Sequence, residues 1–130
     1  MQIEVKWTDK LRFEATTQKD VHFVLDGNNT EGPSPTEALL GSLCACMAID
    51  ILMILKKMRS GPEDVRVRAL ARRKESPPKF FTGVDLDIFV QGDVSTKHVE
   101  RAVQLSKNTY CSVLHSLRQD LELSWNIHQS

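Results

Sequence analysis

A long apolar segment in the first half of the chain limits how the rest can fold. Ser34 as N-cap, Pro35 at the first helical position and Glu37 three residues after the cap form a capping box, which predicts that a helix begins here. Turn-forming residues at 60–62 predict that the helix ends near Arg59. About 25 residues at 1.5 Å each make a rod of about 37 Å, close to the full width of a compact chain of this length. A helix of this size must cross the whole fold.

The middle of this helix is apolar on nearly every face. Residues 38–55 carry a single charge, at Asp50. A helix of this composition is either buried in a core or spans a membrane, and a charge near the centre of a span costs about 2.5–3.5 kcal/mol. We therefore predict a buried core helix and no membrane partner. Because one small domain can hardly surround the rod on all sides, we also expect a second subunit to pack against it.

Alternation of apolar and polar residues predicts strands on both sides of the helix in the sequence. Three strands precede the helix and three follow it, at residues 2–8, 11–15, 21–25, 65–71, 84–90 and 121–127. Apolar residues at helical spacing between Thr96 and Leu117 predict two further helices, with a break at 107–109. The order βββ-α-ββ-αα-β is typical of an α+β fold, and the length of the chain fits a single domain, 1–130.

Charges on the fourth and fifth strands indicate how these two strands pair. Arg66, Arg68 and Arg72 share one face of the fourth strand, and Asp85 and Asp87 share one face of the fifth. Opposite charges directly across two strands contribute about 0.2–1 kcal/mol and favour one register. We expect the basic face to lie beside the acidic one.

Composition narrows the choice of partners and of compartment. The chain has 17 Lys and Arg against 17 Asp and Glu, so its formal net charge is zero. Without a basic field, nucleic acid and anionic membrane surfaces are poor partners. The N-terminus has no apolar stretch after a basic start, and three cysteines cannot all pair within one chain. We expect a cytoplasmic protein with reduced thiols, which needs neither disulfides nor a metal in order to fold.

The three cysteines are the candidates for chemistry. Cys44 and Cys46 lie about 200° apart around a helix, so they cannot bind one metal ion or bond to each other. Cys111 follows the predicted helix break, where the N-terminus of the next helix would favour its thiolate. His115, at i+4 from Cys111, leaves open a Cys-His nucleophile pair. Each cysteine alone could equally be a small buried apolar residue.

The histidines offer no metal site. None of the four has a partner at ligand spacing, and the positions are His22, His98, His115 and His128. Solvated or capping roles fit them better, so we expect no metal ligand and no metal cofactor.

Two segments around the cysteines carry a family resemblance. One runs from Pro33–Leu40 into Cys44–Asp50, and the other is Lys107–Val113. The likeness extends to Val5–Trp7, Asp26-Gly27 and Phe80–Thr82, and so covers most of the chain. The chain resembles the OsmC/Ohr family, and within it the small OsmC-like branch.

The resemblance implies a fold, an assembly and a set of site residues. The implied assembly is an intertwined homodimer, with two long central helices wrapped by antiparallel β-sheets and active sites shared between the subunits. Cys46 matches the family's peroxidatic cysteine, Cys111 its resolving cysteine and Glu37 the glutamate of its Pro-x-Glu motif. Arg12 is the arginine in the N-terminal hairpin, where the family places its site arginine. Cys44 matches no functional position, and we expect it to pack.

Helix geometry bears on this assembly. Glu37 and Cys46 are nine positions apart, which is about 180° around a helix and about 13 Å along it. They cannot meet within one chain, so if they share a site Glu37 comes from the other subunit. Two antiparallel copies of the helix would bring them together by crossing near Gly41-Ser42.

The resulting hypothesis is a thiol peroxidase. Cys46 attacks an organic hydroperoxide and becomes a sulfenic acid, and Cys111 then condenses with it to a disulfide. An external dithiol reduces the disulfide, because the sequence has no flavin or nicotinamide motif and we expect no cofactor.

Two other functions remain open. Residues 10–13 lack the Gly-Arg-Asp-Gly type of turn found in the family, which favours a non-catalytic dimer that binds a small apolar ligand or a protein partner. A structural interaction module with inert thiols is the third possibility, because buried unreactive cysteines are common.

Overall fold

The first part of the chain forms a three-stranded antiparallel sheet. The computed structural model describes all of residues 1–130 and divides into two compact units, Met1–Gly41 and Ser42–Ser130. In the first unit the strands pair in the order β1-β2-β3, with bounds Ile3–Asp9, Arg12–Thr17 and His22–Asp26. All three were predicted, to within two residues at each end. That the two units form a single domain stays a prediction.

A buried carboxylate organises the loop that follows β3. Asp26 is fully buried and accepts backbone hydrogen bonds from Asn28 (2.8 Å) and Glu31 (3.0 Å), and one from the hydroxyl of Thr30 (2.9 Å). These bonds hold the loop against the end of β3 and lead the chain towards the first helix.

The first helix, α1, begins where the sequence predicts. It spans Pro35–Lys57, the Glu37 N–H donates to Ser34 Oγ (3.3 Å), and the Ser34 N–H donates to Glu37 Oε1 (3.0 Å). This reciprocal pair is the capping box expected from the sequence.

The end of α1 differs in detail from the prediction. The helix stops two residues before Arg59, which takes the left-handed conformation (φ 58°). The Ser60 N–H donates to the carbonyl of Leu55 (3.0 Å), which closes the last turn. Arg59 therefore takes the left-handed position that ends the helix, which the sequence had predicted for Gly61. Gly61 begins the next strand instead.

One face of α1 is buried and another apolar face is not. The buried side chains recur every fourth residue and are Leu43, Met47, Ile51 and Leu55. Ile49 and Met53 are 57% and 56% exposed. By length and composition α1 could also cross a membrane, a test that the core helix of a soluble protein passes as well.

The second unit contains the other sheet, in the order β4-β5-β6. The bounds are Gly61–Arg73, Phe81–Asp93 and Glu122–Gln129. β4 and β5 are antiparallel, with Arg68 opposite Asp87 and their side chains 3.3 Å apart, and Arg72 bonded to Asp85. The predicted charge pairing is confirmed. β6 runs parallel to β5, so the second sheet is mixed, and the expectation of antiparallel sheets is wrong for this pair of strands.

Two helices and a π-helical turn connect β5 to β6. α2 is Thr96–Leu105, the π-helical turn is Ser106–Tyr110, and α3 is Ser112–His115. The predicted break at 107–109 falls inside the π-helical turn. The order of elements is the predicted one, so the α+β fold class is confirmed.

Candidate active site

Two side chains of α1 meet a third from a distant part of the sequence in the second unit. The sulfurs of Cys46 and Cys111 and a carboxylate oxygen of Asp50 all lie within 4.8 Å of one another. Cys111 is fully buried, and the other two side chains are half-buried. We call Cys46, Asp50 and Cys111 the dithiol cluster.

Two local structures position the cluster. Cys46 and Asp50 stand at i and i+4 on α1, which places them on one face of the helix. Cys111 directly follows the π-helical turn, and its N–H donates to the carbonyl of Ser106 five residues earlier (2.8 Å). In a regular α-helix, residues five apart would point about 140° away from each other.

The π-helical turn keeps Ser106 and Cys111 on the same side. Both are fully buried, and Ser106 Oγ donates to Asp50 Oδ2 at 2.8 Å. Ser106 therefore holds the carboxylate while Cys111 brings its sulfur to the same place. π-helical insertions of this kind are frequent at functional sites.

Burial controls the ionisation of Cys111. The pKa of the Cys111 thiol is raised to about 11, mainly by burial and in smaller part by the neighbouring Cys46 and Asp50. A hydrogen bond from the Leu114 N–H to Cys111 Sγ (3.4 Å) acts in the opposite direction. The prediction that a helix N-terminus would favour the Cys111 thiolate is wrong, because α3 has only four residues and one N–H does not offset burial.

Cys44 lies outside the dithiol cluster. It is half-buried on α1, and burial raises the pKa of its thiol. A neutral, partly covered thiol is compatible with the packing role expected for it.

Arg12 is engaged with carboxylates of the first unit. Its Nε lies 3.5 Å from Asp26 Oδ2, and its Nη2 lies 3.8 Å from Glu31 Oε1. Arg12 Nε is buried and lacks a well-aligned hydrogen bond, although the ion pair with Asp26 is close. Backbone N–H groups of Glu31 and Asn28 lower the pKa of Asp26 to about 2, so it is a permanent anion beside Arg12 at neutral pH.

Glu37 is held by the start of α1. The backbone N–H of Ser34 bonds its carboxylate and lowers the pKa of Glu37. The dithiol cluster contains neither Glu37 nor Arg12. Roles for these two residues beside Cys46 stay predictions.

The Cys-His alternative is not formed. The His115 ring donates from Nε2 to the carbonyl of Lys107 (2.9 Å), while Cys111 Sγ accepts from Leu114. The three other histidines bond to side chains elsewhere, His22 to Asp20 and Glu14, His98 to Ser60, and His128 to Asp87.

A cavity of about 340 Å³ opens beside Asp50. Its walls are mostly apolar, and they are Asp50, Met53, Ile54, Lys57, Met58, Leu105 and Tyr110. Its size and lining suit a small organic molecule. Met53 lines this cavity, whereas Leu43 and Met47 on the same helix are buried in the core.

Asp50 is the site residue that sequence reasoning missed. In the sequence Asp50 is the single charge of an apolar helix, and its spacing of four from Cys46 is the signal that places both on one helix face. The contact with Cys111 could not be found from spacing, because about 60 residues separate them.

Comparison with known proteins identifies the family. The family model described as OsmC-like protein matches residues 27–126. The chain belongs to the OsmC-like family. The resemblance drawn from the cysteine segments is therefore confirmed, and so is the OsmC-like fold.

Relatives and solved structures extend this assignment. The OsmC-like protein is 36% identical to Protein YhfA of Escherichia coli (strain K12), over 95% of this chain and 94% of the relative. It is similar to the crystal structure of a hypothetical protein from Aquifex aeolicus VF5, with a TM-score of 0.87, 28% identity, and coverage of 99% of this chain and 96% of that one. It also shares the fold of an organic hydroperoxide resistance protein OsmC from Legionella pneumophila, with a TM-score of 0.72, 17% identity, and coverage of 98% and 97%.

Proposed function

We propose that this OsmC-like protein is a thiol peroxidase that reduces organic hydroperoxides through Cys46 and Cys111. The observation that carries the proposal is the approach of the two sulfurs to within 4.8 Å. Family membership and the fold shared with the organic hydroperoxide resistance protein from Legionella pneumophila support the same reaction.

Exposure divides the roles of the two cysteines. Cys46 is half-buried and can be reached, whereas Cys111 is fully buried and its thiol is neutral at neutral pH. Cys46 sulfur attacks the distal oxygen of the hydroperoxide, the O–O bond breaks, and the alcohol leaves with a proton. Cys46 is then a sulfenic acid.

Cys111 completes the oxidation. Its thiol attacks the sulfenic sulfur of Cys46, the S–O bond breaks, and water leaves as the disulfide forms. The sulfurs must close to about 2.05 Å, which side-chain rotation and a small backbone movement have to supply. An external dithiol then reduces the disulfide and returns both thiols.

Asp50 is the proton carrier in this scheme. Its carboxylate lies beside both sulfurs and is held by Ser106. It can accept the Cys46 proton as the sulfur attacks and return it to the departing alkoxide. Asp50 is thus a third catalytic residue in the proposal.

A homodimer completes the site. The exposed apolar face of α1 is the surface on which a second copy would pack, as the family resemblance implies. In that dimer Glu37 of the other copy, and Arg12 with it, would reach Cys46. The cavity beside Asp50 would hold the organic part of the hydroperoxide.

Hydroperoxide consumption in the presence of a dithiol tests the reaction. Cys46→Ser should abolish turnover of cumene hydroperoxide, while Cys44→Ser, two positions away on the same helix, should keep it. Cys111→Ser should leave a Cys46 sulfenic acid that dimedone traps. Full activity of Cys46→Ser would exclude the mechanism.

A non-catalytic dimer is the second candidate, and the pairing of Arg12 with Asp26 and Glu31 favours it. An arginine already held by two carboxylates is less free to activate a thiol. One equivalent of hydroperoxide separates the candidates. A two-dalton loss shared by the Cys46 and Cys111 peptides supports the peroxidase, and thiols that react only after denaturation support the binder.

A further inference from the structure

Contrary to the expectation of no metal ligand, we propose that Cys46, Asp50 and Cys111 also form a binding site for a zinc ion, with two sulfurs and one carboxylate oxygen as ligands. Sulfur ligands select zinc over magnesium and calcium, which prefer oxygen alone. The site lies within the second unit, and the proposal holds whether or not the cluster reduces peroxides.

The distances suit a tetrahedral ion. Zn–S bonds of about 2.3 Å and a Zn–O bond of about 2.0 Å place the two sulfurs about 3.8 Å apart and each sulfur about 3.5 Å from the oxygen. The three atoms already lie within 4.8 Å of one another. Each pair has to close by about 1.3 Å at most, which is within reach of side-chain rotation. The disulfide requires a larger closure of the same two sulfurs.

The surroundings hold the ligands as the outer shell of a metal site does. Ser106, fully buried, donates to one oxygen of Asp50 (2.8 Å), and a carboxylate oxygen of Asp50 lies within 4.8 Å of both sulfurs. The Leu114 N–H holds the sulfur of Cys111. Outer bonds of this kind orient ligands and strengthen metal binding.

Three protein ligands leave one tetrahedral position for solvent. Asp50 also lines the cavity described above, from which an ion and its water can enter. Binding replaces two S–H bonds with two Zn–S bonds and releases two protons to solvent. Each sulfur that shares a lone pair with zinc is a weaker nucleophile than a free thiolate, so zinc should slow the attack of Cys46 on a peroxide. This consequence, unlike the binding itself, rests on the proposed function.

Zinc titration of the reduced protein without oxygen tests the proposal, with a chromophoric chelator as competitor. We expect one zinc ion per chain. Cys46→Ser, Cys111→Ser and Asp50→Ala should each weaken binding by more than about 100-fold, and Ser106→Ala by about 10-fold to 100-fold, as is usual for outer partners. Cys44→Ser should bind as the unchanged protein does.

X-ray absorption of the zinc-loaded protein gives a readout that needs no variant. We expect two sulfurs at about 2.3 Å and oxygen at about 2.0–2.2 Å. A shell of nitrogen and oxygen only would show that zinc sits on surface histidines and would overturn the proposal. Equal binding by the Cys46→Ser and Cys44→Ser proteins would overturn it as well.

The two proposals fail separately. If hydroperoxide forms the Cys46–Cys111 disulfide but the reduced protein binds no zinc, the metal site is wrong and the peroxidase stands. If zinc binds through these residues but the metal-free protein consumes no hydroperoxide, the peroxidase proposal is wrong and the zinc site stands.

Discussion

Cys111 shows how one buried atom can receive opposite influences from its neighbours. Burial and the nearby Asp50 favour the neutral thiol, and the N–H of Leu114 favours the thiolate. Burial is the largest effect, and together these influences bring the pKa of Cys111 to about 11. A neutral thiol is a poor first nucleophile but is suited to attack a sulfenic acid that forms beside it.

Alkylation kinetics check this assignment. At pH 8 a thiol with a pKa of about 11 is ionised in about one molecule in a thousand. We expect iodoacetamide to modify Cys46 well before Cys111 in the folded protein. Peptide mass spectrometry measures the labelling of each cysteine over time. In denaturant the two rates should become similar. Faster labelling of Cys111 in the folded state would contradict the assigned roles.

Asp26 makes stability depend on acid. Its pKa is about 2 in the folded protein against 3.8 as a free side chain, mainly because backbone N–H groups of Glu31 and Asn28 bond the carboxylate. The folded pKa is the lower one, so this stabilisation is complete above about pH 4 and is lost as the pH falls through 2. Asp26→Asn should lower stability at pH 7 and flatten its dependence between pH 4 and 2. Urea unfolding followed by circular dichroism measures both, and Glu4→Gln, at an exposed carboxylate of β1, is the matched control.

α1 combines a defined start with two apolar faces. The capping box sets its first residue, and a stripe of side chains at every fourth position buries one face. Cys46 and Asp50 stand on the same helix, so the position of the site depends on where α1 begins and on how firmly its buried face is packed. Loss of the cap would fray the first turn, whereas loss of a buried side chain would leave a cavity.

Two substitutions in α1 separate these effects. Ser34→Ala removes the oxygen that accepts the Glu37 N–H and should cost about 1 kcal/mol of unfolding free energy. Ile51→Ala opens a cavity at a fully buried position and should cost about 2–5 kcal/mol. Denaturant unfolding measures both. A larger loss for Ser34→Ala than for Ile51→Ala would show that packing of α1 matters less than its cap.

At the scale of the whole molecule, the exposed apolar side chains of α1 indicate a surface that another protein chain covers. Ile49 and Met53, one turn apart on α1, are more than half exposed, and so is Tyr110. Soluble proteins rarely leave grouped apolar side chains in water unless another surface covers them. A second copy of the chain is the partner that the family resemblance implies, and it would complete the proposed site.

Hydrodynamic mass tests the proposed dimer. We expect twice the mass of one chain by light scattering, and a shift towards the monomer when Ile49→Lys and Met53→Glu are introduced together. Glu4→Gln, at an exposed charged position of β1, should leave the dimer intact. A monomeric unchanged protein at micromolar concentration would rule out a shared site, while the dithiol cluster within one chain would remain.

The sequence by itself determined the local features of this protein. The capping box predicted the start of α1, apolar alternation predicted six strands, and facing charges predicted the pairing of β4 with β5. The first two signals lie within one element, and the third compares the charged faces of two strands that follow each other in the chain. The pairing of Cys46 with Cys111 came from the family resemblance and not from spacing.

Only the tertiary structure decided the chemistry of the site. It placed Asp50 beside both sulfurs, raised the pKa of Cys111 where the helix end had predicted the opposite, and paired Arg12 with Asp26. It also made β6 parallel to β5. These four features result from burial or from contact between distant residues. Burial and distant contacts leave no local signal in the sequence, because they depend on which surfaces meet when the chain folds.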